Sequence, residues 1–128
     1  MLNTVVLHFV DGKILKGTTD DFFPNKDSFH LREKEVGEIH EVQLAGVKAL
    51  YFVKSFEGRA EYLERSDLER AGFGKKIRVQ FKDGETQDGY TQGFSANRPG
   101  FFVFPCDPDC NNDRVFVITA ATDRINFI

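Results

Sequence analysis

Two thiols four residues apart, Cys106 and Cys110, enclose Asp107-Pro108-Asp109 and are followed by Asn111, Asn112 and Asp113. Thiolates suit zinc, and the oxygen-bearing side chains suit a hard cation such as calcium. A structural zinc site needs four ligands, yet His8, His30 and His40 all lie in the other half of the chain. The oxygen donors lack EF-hand spacing, and Asp, Asn and Pro at this density are equally typical of an exposed turn. The expectation is therefore no metal, with Cys106 and Cys110 as the residues a metal would first engage, and two free thiols in a loop. Asp11 and Asp83 each precede a glycine, where a hairpin turn accounts for them without catalysis. No Ser-His-Asp set, glycine-rich phosphate loop or zinc-protease helix is found. The chain is expected to be a non-enzyme without a cofactor.

A second set combines cations, carboxamides and aromatics: Asn25, Lys26, His30 and Arg32 in one stretch, Asn97, Arg98, Phe101 and Phe102 in another. A cation beside aromatic rings can hold a nucleobase or a phosphate. The plainer alternative places Phe29 and Phe101 in the core and leaves Lys26 and Arg98 to solvate their loops.

These stretches are equivalent in the sequence. Phe9, Asp11, Gly12, Gly17, Thr19, Phe22, Asn25 and Phe29 return in the same spacing as Phe81, Asp83, Gly84, Gly89, Thr91, Phe94, Asn97 and Phe101. The chain reads as a duplication. Val5, Leu7 and Phe9 alternate before the first Asp-Gly, and Ile77, Val79 and Phe81 before the second, which predicts hairpins. The second strand of each hairpin runs over 14–22 and 85–94, interrupted by Gly17 and Gly89, where a bulge or bend is expected. Loops at 23–27 and 95–100 follow, then strands at 28–32 and 101–104, and a last pair at 39–44 with 47–53 and at 114–119 with 124–128. The organisation predicted is a first β-barrel repeat over 1–57, a linker over 58–74 and a second repeat over 75–128. Within the linker, Ser66 and Glu69 form a capping-box pattern that predicts a short helix or an irregular connection.

The 128 residues carry 17 basic and 20 acidic side chains, a net charge of −3, with no basic tail. That balance argues against binding nucleic acid by bulk electrostatics. The N-terminus enters a strand pattern directly, so no signal peptide is read, and no apolar run is long enough to span a bilayer. A cytoplasmic, non-membrane protein is expected.

Residues 5–32 and 77–104 resemble the first motif of the Sm-like family: alternating apolar residues, Asp-Gly, a glycine five positions on, then an aromatic. The resemblance implies an all-β chain made of two tandem five-stranded Sm-like or SH3-like barrels. The second Sm motif needs an Arg-Gly pair, and the comparable positions read Ala45-Gly46 and Ala120-Ala121. RNA binding through that pair is therefore not implied. Arg98-Pro99-Gly100 invites comparison with cyclic-dinucleotide receptors of the PilZ type, whose paired-Arg and Asp-x-Ser-x-x-Gly motifs are absent. Gly17-Thr18-Thr19-Asp20-Asp21-Phe22-Phe23-Pro24-Asn25 and Asn97-Arg98-Pro99-Gly100-Phe101-Phe102-Val103-Phe104-Pro105 resemble an uncharacterised bacterial domain family, which implies a tandem β module with a binding or regulatory role. The expected function is a non-enzymatic binding module with a protein partner. The alternative is nucleotide or single-stranded nucleic-acid binding through Asn25, Lys26, His30, Arg32, Asn97, Arg98 and Phe102. Edge strands left open by incompletely closed barrels make a homodimer a further expectation.

Overall fold

Period-two alternation of apolar side chains lets a strand bury one face and wet the other. In the computed structural model, which describes residues 2–58 and 62–128, this alternation produces ten strands. The first half gives β1 (Asn3–Phe9), β2 (Ile14–Thr19), β3 (Ser28–Glu33), β4 (Ile39–Gln43) and β5 (Val47–Val53). The second half gives β6 (Lys75–Phe81), β7 (Thr86–Thr91), β8 (Gly100–Pro105), β9 (Asn112–Ile118) and β10 (Thr122–Phe127). The only described helical turns are two three-residue 3-10 segments, Leu44–Gly46 before β5 and Thr119–Ala121 before β10. No described helix is long and apolar enough to cross a membrane.

The Asp-Gly hairpins form as the sequence predicts. Asp11 Oδ1 accepts a hydrogen bond from Lys13 N at 2.9 Å, and Asp83 Oδ1 accepts one from Glu85 N at 2.9 Å. Gly12 and Gly84 take φ of 91° and 92°, a region costly for a residue with a Cβ. Gly17 and Gly89 serve a different purpose from the bulge expected of them. A Cβ on Gly17 would lie 2.1 Å from the Arg32 carbonyl oxygen, and one on Gly89 2.5 Å from that of Phe104, so the glycines admit the next strand at close range. The register shifts fall elsewhere, where β1 meets β5, where β5 meets β9 and where β10 meets β6.

Two tandem barrels were expected, whether separate or sharing a core. The strands instead form one open antiparallel sheet in the order β10-β6-β7-β8-β9-β5-β1-β2-β3-β4. Each half orders its strands alike, with its last strand beside its first and its fourth at the far side. The halves join because β5 pairs with β9, setting Ala49 opposite Val117, Leu50 opposite Phe116 and Tyr51 opposite Val115. Pairing on both edges and packing on both faces bury β5 at all seven positions. One hydrophobic cluster therefore runs through both halves, from Val5, Leu7 and Leu31 through Leu50 and Phe116 to Ile77, Val79 and Phe81.

Of the two forms expected around Ser66 and Glu69, a short helix or an irregular connection, residues 62–74 take the irregular one, and 59–61 lie outside the described residues. Tertiary contacts take the backbone groups a helix would use. Ser66 O accepts from Lys76 Nζ at 3.0 Å, Leu68 O from Tyr90 OH at 3.3 Å, and Gly72 O from Gln92 Nε2 at 2.8 Å. A single capping pattern is worth about 1 kcal/mol, too little to nucleate a short helix against such contacts.

Candidate ligand cleft

The connection after β2 and the loop after β7 come from equivalent places in the two halves, and the β5–β9 joint brings them side by side. Pro24 and Asn25 form one wall of a cleft of about 530 Å³, and Gln92, Gly93, Asn97, Arg98 and Pro99 form the other. Phe101, Phe102 and Phe116 lie at its base. The second wall is fastened from behind: Thr119 N donates to Pro99 O at 2.9 Å, and Thr119 Oγ1 to Arg98 O at 3.2 Å. Among the described residues, the Arg98 guanidinium and the Asn25 and Asn97 carboxamides have no side-chain partner.

Four of the seven residues singled out from sequence thus meet here: Asn25, Asn97, Arg98 and Phe102. The other three lie outside the cleft. Lys26 Nζ sits 5.0 Å from the centre of the Phe23 ring, and Arg32 Nη1 donates to Gly37 O at 3.3 Å. His30 is exposed and bonded through Nδ1 to Asp21 Oδ2 at 2.6 Å, which raises its pKa above the usual imidazole value. Phe29 and Phe101 are core residues, 2% and 5% exposed, so the structural reading holds for both rings.

Below the cleft, Phe102 packs edge-on to Phe116 at 5.0 Å and against Phe22 and Phe52 at 6.4 and 5.9 Å. The Arg114 guanidinium lies 4.4 Å from the centre of Phe52 and 5.1 Å from that of Phe102. Its buried Nε has no hydrogen-bond partner among the described residues. Sequence reasoning passed over Arg114, since its place depends on a register with Phe52, 62 positions away in the chain.

A second concavity, about 740 Å³, opens where β1, β2 and β5 meet the start of β7 and the 62–66 segment. Of its lining, Glu85, Tyr51 and His8 belong to a charge network that sequence reasoning also missed. Lys48, 7% exposed within an otherwise apolar strand, bonds Asp83 Oδ2 at 2.7 Å and Glu85 Oε1 at 2.9 Å, and its Nζ lies 4.7 Å from the centre of the Phe81 ring. Burial pulls the Lys48 pKa down, and the two carboxylates outweigh it, leaving it raised. Tyr51 OH donates to Glu85 at 3.4 Å, and burial, then the Glu85 charge, pushes that phenol up. His8, packed 4.7 Å from Tyr51 ring to ring, is held below its ordinary value by burial and by Lys48. A lone lysine in an apolar run was the available signal for this clamp between halves.

The cysteine loop is knitted into the fold. Asp107 accepts from Tyr62 OH, Arg65 N and Asp109 N, and Asn111 Oδ1 accepts from Ser55 N at 3.1 Å. Lys54 Nζ donates to the Pro108 and Cys110 carbonyls at 2.6 and 2.7 Å. Its oxygen-rich side chains thus fasten a turn. Cys106 and Cys110 are both buried and not disulfide-bonded, and burial raises both thiols, Cys110 to about 11. Neither belongs to a three-ligand group; among the described residues that geometry occurs at Glu33, Glu38 and His40, where His40 Nε2 already bonds Glu33 at 2.8 Å.

Comparison with known proteins finds no match among curated proteins and none among solved structures. Over residues 1–128 the chain fits a family model, and it belongs to that family, the Family of unknown function (DUF6982).

Proposed function

We propose that the chain is a non-enzymatic binding module, built from a duplicated five-stranded unit, whose cleft takes an extended segment of a partner protein. The carrying observation is the convergence of Asn25, Asn97 and Arg98, all side-chain-uncommitted among the described residues, above an aromatic base. A carboxamide both donates and accepts, as a peptide backbone requires; an aromatic base receives an apolar side chain, and a guanidinium a neighbouring carboxylate. The thiols support the non-enzymatic part, because raised pKa values keep both protonated and poorly nucleophilic.

A nucleotide or single-stranded nucleic acid is the second reading, favoured by Arg98 beside phenylalanines. Against it, a stacked base needs a whole ring face, whereas Phe102, packed against Phe22, Phe52, Phe116 and Arg114, is only partly exposed, enough for a small apolar side chain. Arg98 is also the one charged residue among those lining the cleft.

The test is fluorescence titration of the full chain with an array of extended peptides pairing an apolar and an acidic residue, beside an oligo-dT control. Arg98→Gln is expected to weaken peptide binding roughly tenfold, the loss of one charge-assisted hydrogen bond, with little dependence on salt. Oligo-dT binding that falls steeply with salt would transfer the assignment to the second reading. Binding by neither probe, with the fold intact by circular dichroism, would overturn both.

A further inference from the structure

The joint inside the chain is repeated, unfilled, at its two ends. Internally, the last strand of the first half (β5) pairs with the fourth strand of the second half (β9). Outside, the fourth strand of the first half (β4) and the last strand of the second half (β10) are the two open edges of the sheet. The open edges are thus of the same two kinds that already pair. Within one chain they do not pair with each other, and the sheet stays open.

We propose that β10 of one chain pairs with β4 of a second copy, head to tail, in the register of the β5–β9 joint. The 3-10 turns Leu44–Gly46 and Thr119–Ala121 fix the alignment, since each lies directly between the fourth and last strands of its half. Ala49, Leu50, Tyr51 and Phe52 then correspond to Arg124, Ile125, Asn126 and Phe127. Val117, Phe116, Val115 and Arg114 correspond to Val42, Glu41, His40 and Ile39. The contact between Phe52 and Arg114 becomes one between Phe127 and Ile39, two large apolar side chains now 54% and 57% exposed.

Charge supplies a second, independent observation. Across the internal joint Lys48 bonds Glu85, the residue after the second Asp-Gly turn. The position equivalent to Lys48 is Asp123, and the position equivalent to Glu85 is Lys13. Both of these signs are reversed, so this pair is again complementary between copies, Asp123 of one chain with Lys13 of the next, whereas Asp83, which Lys48 also bonds, corresponds to Asp11 and keeps its sign. The Asp123 and Lys13 side chains are exposed and have no partner among the described residues. The outer strands also carry Glu41, His40, Arg124 and Asn126 where the inner joint has Phe116, Val115, Ala49 and Tyr51, so this joint is weaker than the tethered one and depends on concentration. Because the two surfaces differ, the association is heterologous; it closes into a ring or continues as an open chain according to its rotation.

Sedimentation velocity of the full chain over a wide concentration range tests this. The native chain is expected to form a concentration-dependent oligomer. Phe127→Glu, which blocks β10, and Ile39→Glu, which blocks β4, are each expected to be monomeric alone and to form a complex of two when mixed, since each retains the edge the other lacks. Lys13→Glu or Asp123→Lys alone should weaken association roughly tenfold by opposing like charges, and the double variant should restore it. A chain monomeric throughout would overturn the proposal. So would self-association of either blocked variant alone, which indicates like edges pairing, or failure of the charge swap to restore binding. Thermal melts confirm that each variant folds.

Discussion

β5 and β10 hold the same place in their halves, one inside the sheet and the other at its rim, and they differ at nearly every position. β5 reads Val-Lys-Ala-Leu-Tyr-Phe-Val and is buried throughout; β10 reads Thr-Asp-Arg-Ile-Asn-Phe and is mostly exposed. Strand order is the same around both, so the backbone does not explain the contrast. The number of neighbours does: β5 has a partner on each edge, whereas β10 has β6 alone. A strand flanked on both edges within a core can dispense with alternation, and one at a rim keeps water-facing polar residues.

The largest expected difference lies in the cores of the two strands. Leu50→Ala in β5 should cost about 2–5 kcal/mol, since a fully buried leucine leaves a cavity. Ile125→Ala, at the half-buried equivalent position, should cost about 1 kcal/mol. Urea unfolding of both variants checks this, and equal losses would break the comparison. The charged positions should differ less. Lys48→Met removes the buried cation that holds Asp83 and Glu85, at an expected cost of about 1 kcal/mol, discounted because both carboxylates are half exposed. Asp123→Asn should change the stability of the monomer by no more than about 0.5 kcal/mol.

The smallest effect separates two histidines by NMR titration. His8, beside the inner joint, should titrate below 6.5, and His30, beside the outer strand β4, above it. The signs are opposite. A lowered histidine favours the folded state above pH 6.5, and that contribution is lost as pH falls through its folded value. A raised one favours folding below pH 6.5, and its contribution is lost as pH rises through its folded value. Coincident titrations would remove the electrostatic distinction between joint and rim.

Much of the local structure was legible. Val5 and Leu7, Ile77 and Val79, and the two Asp-Gly turns specify strands and hairpins within a few residues, because side-chain period and turn chemistry act over short distances. The loops carrying Asn25 and Asn97 were legible for the same reason. Between a helix and an irregular connection at Ser66 the local capping signal could not decide, because carbonyls there are held by Lys76 and Tyr90 from the sheet. Lys26, His30 and Arg32 seemed equivalent to cleft residues by sequence position, but each turns to a neighbour of its own.

Residues a few positions apart fix the ten short strands, their turns and their matching succession along the two halves. That the halves share one sheet and one core emerges only in the folded chain. That outcome rests on β5 choosing β9 as its second neighbour, with Leu50 facing Phe116 and Lys48 reaching Glu85. It also decided the cleft, because Asn25 and Arg98 approach each other only once that pairing is made. Edge pairing between distant strands is set by side-chain complementarity and long loop closure, terms that no local pattern encodes.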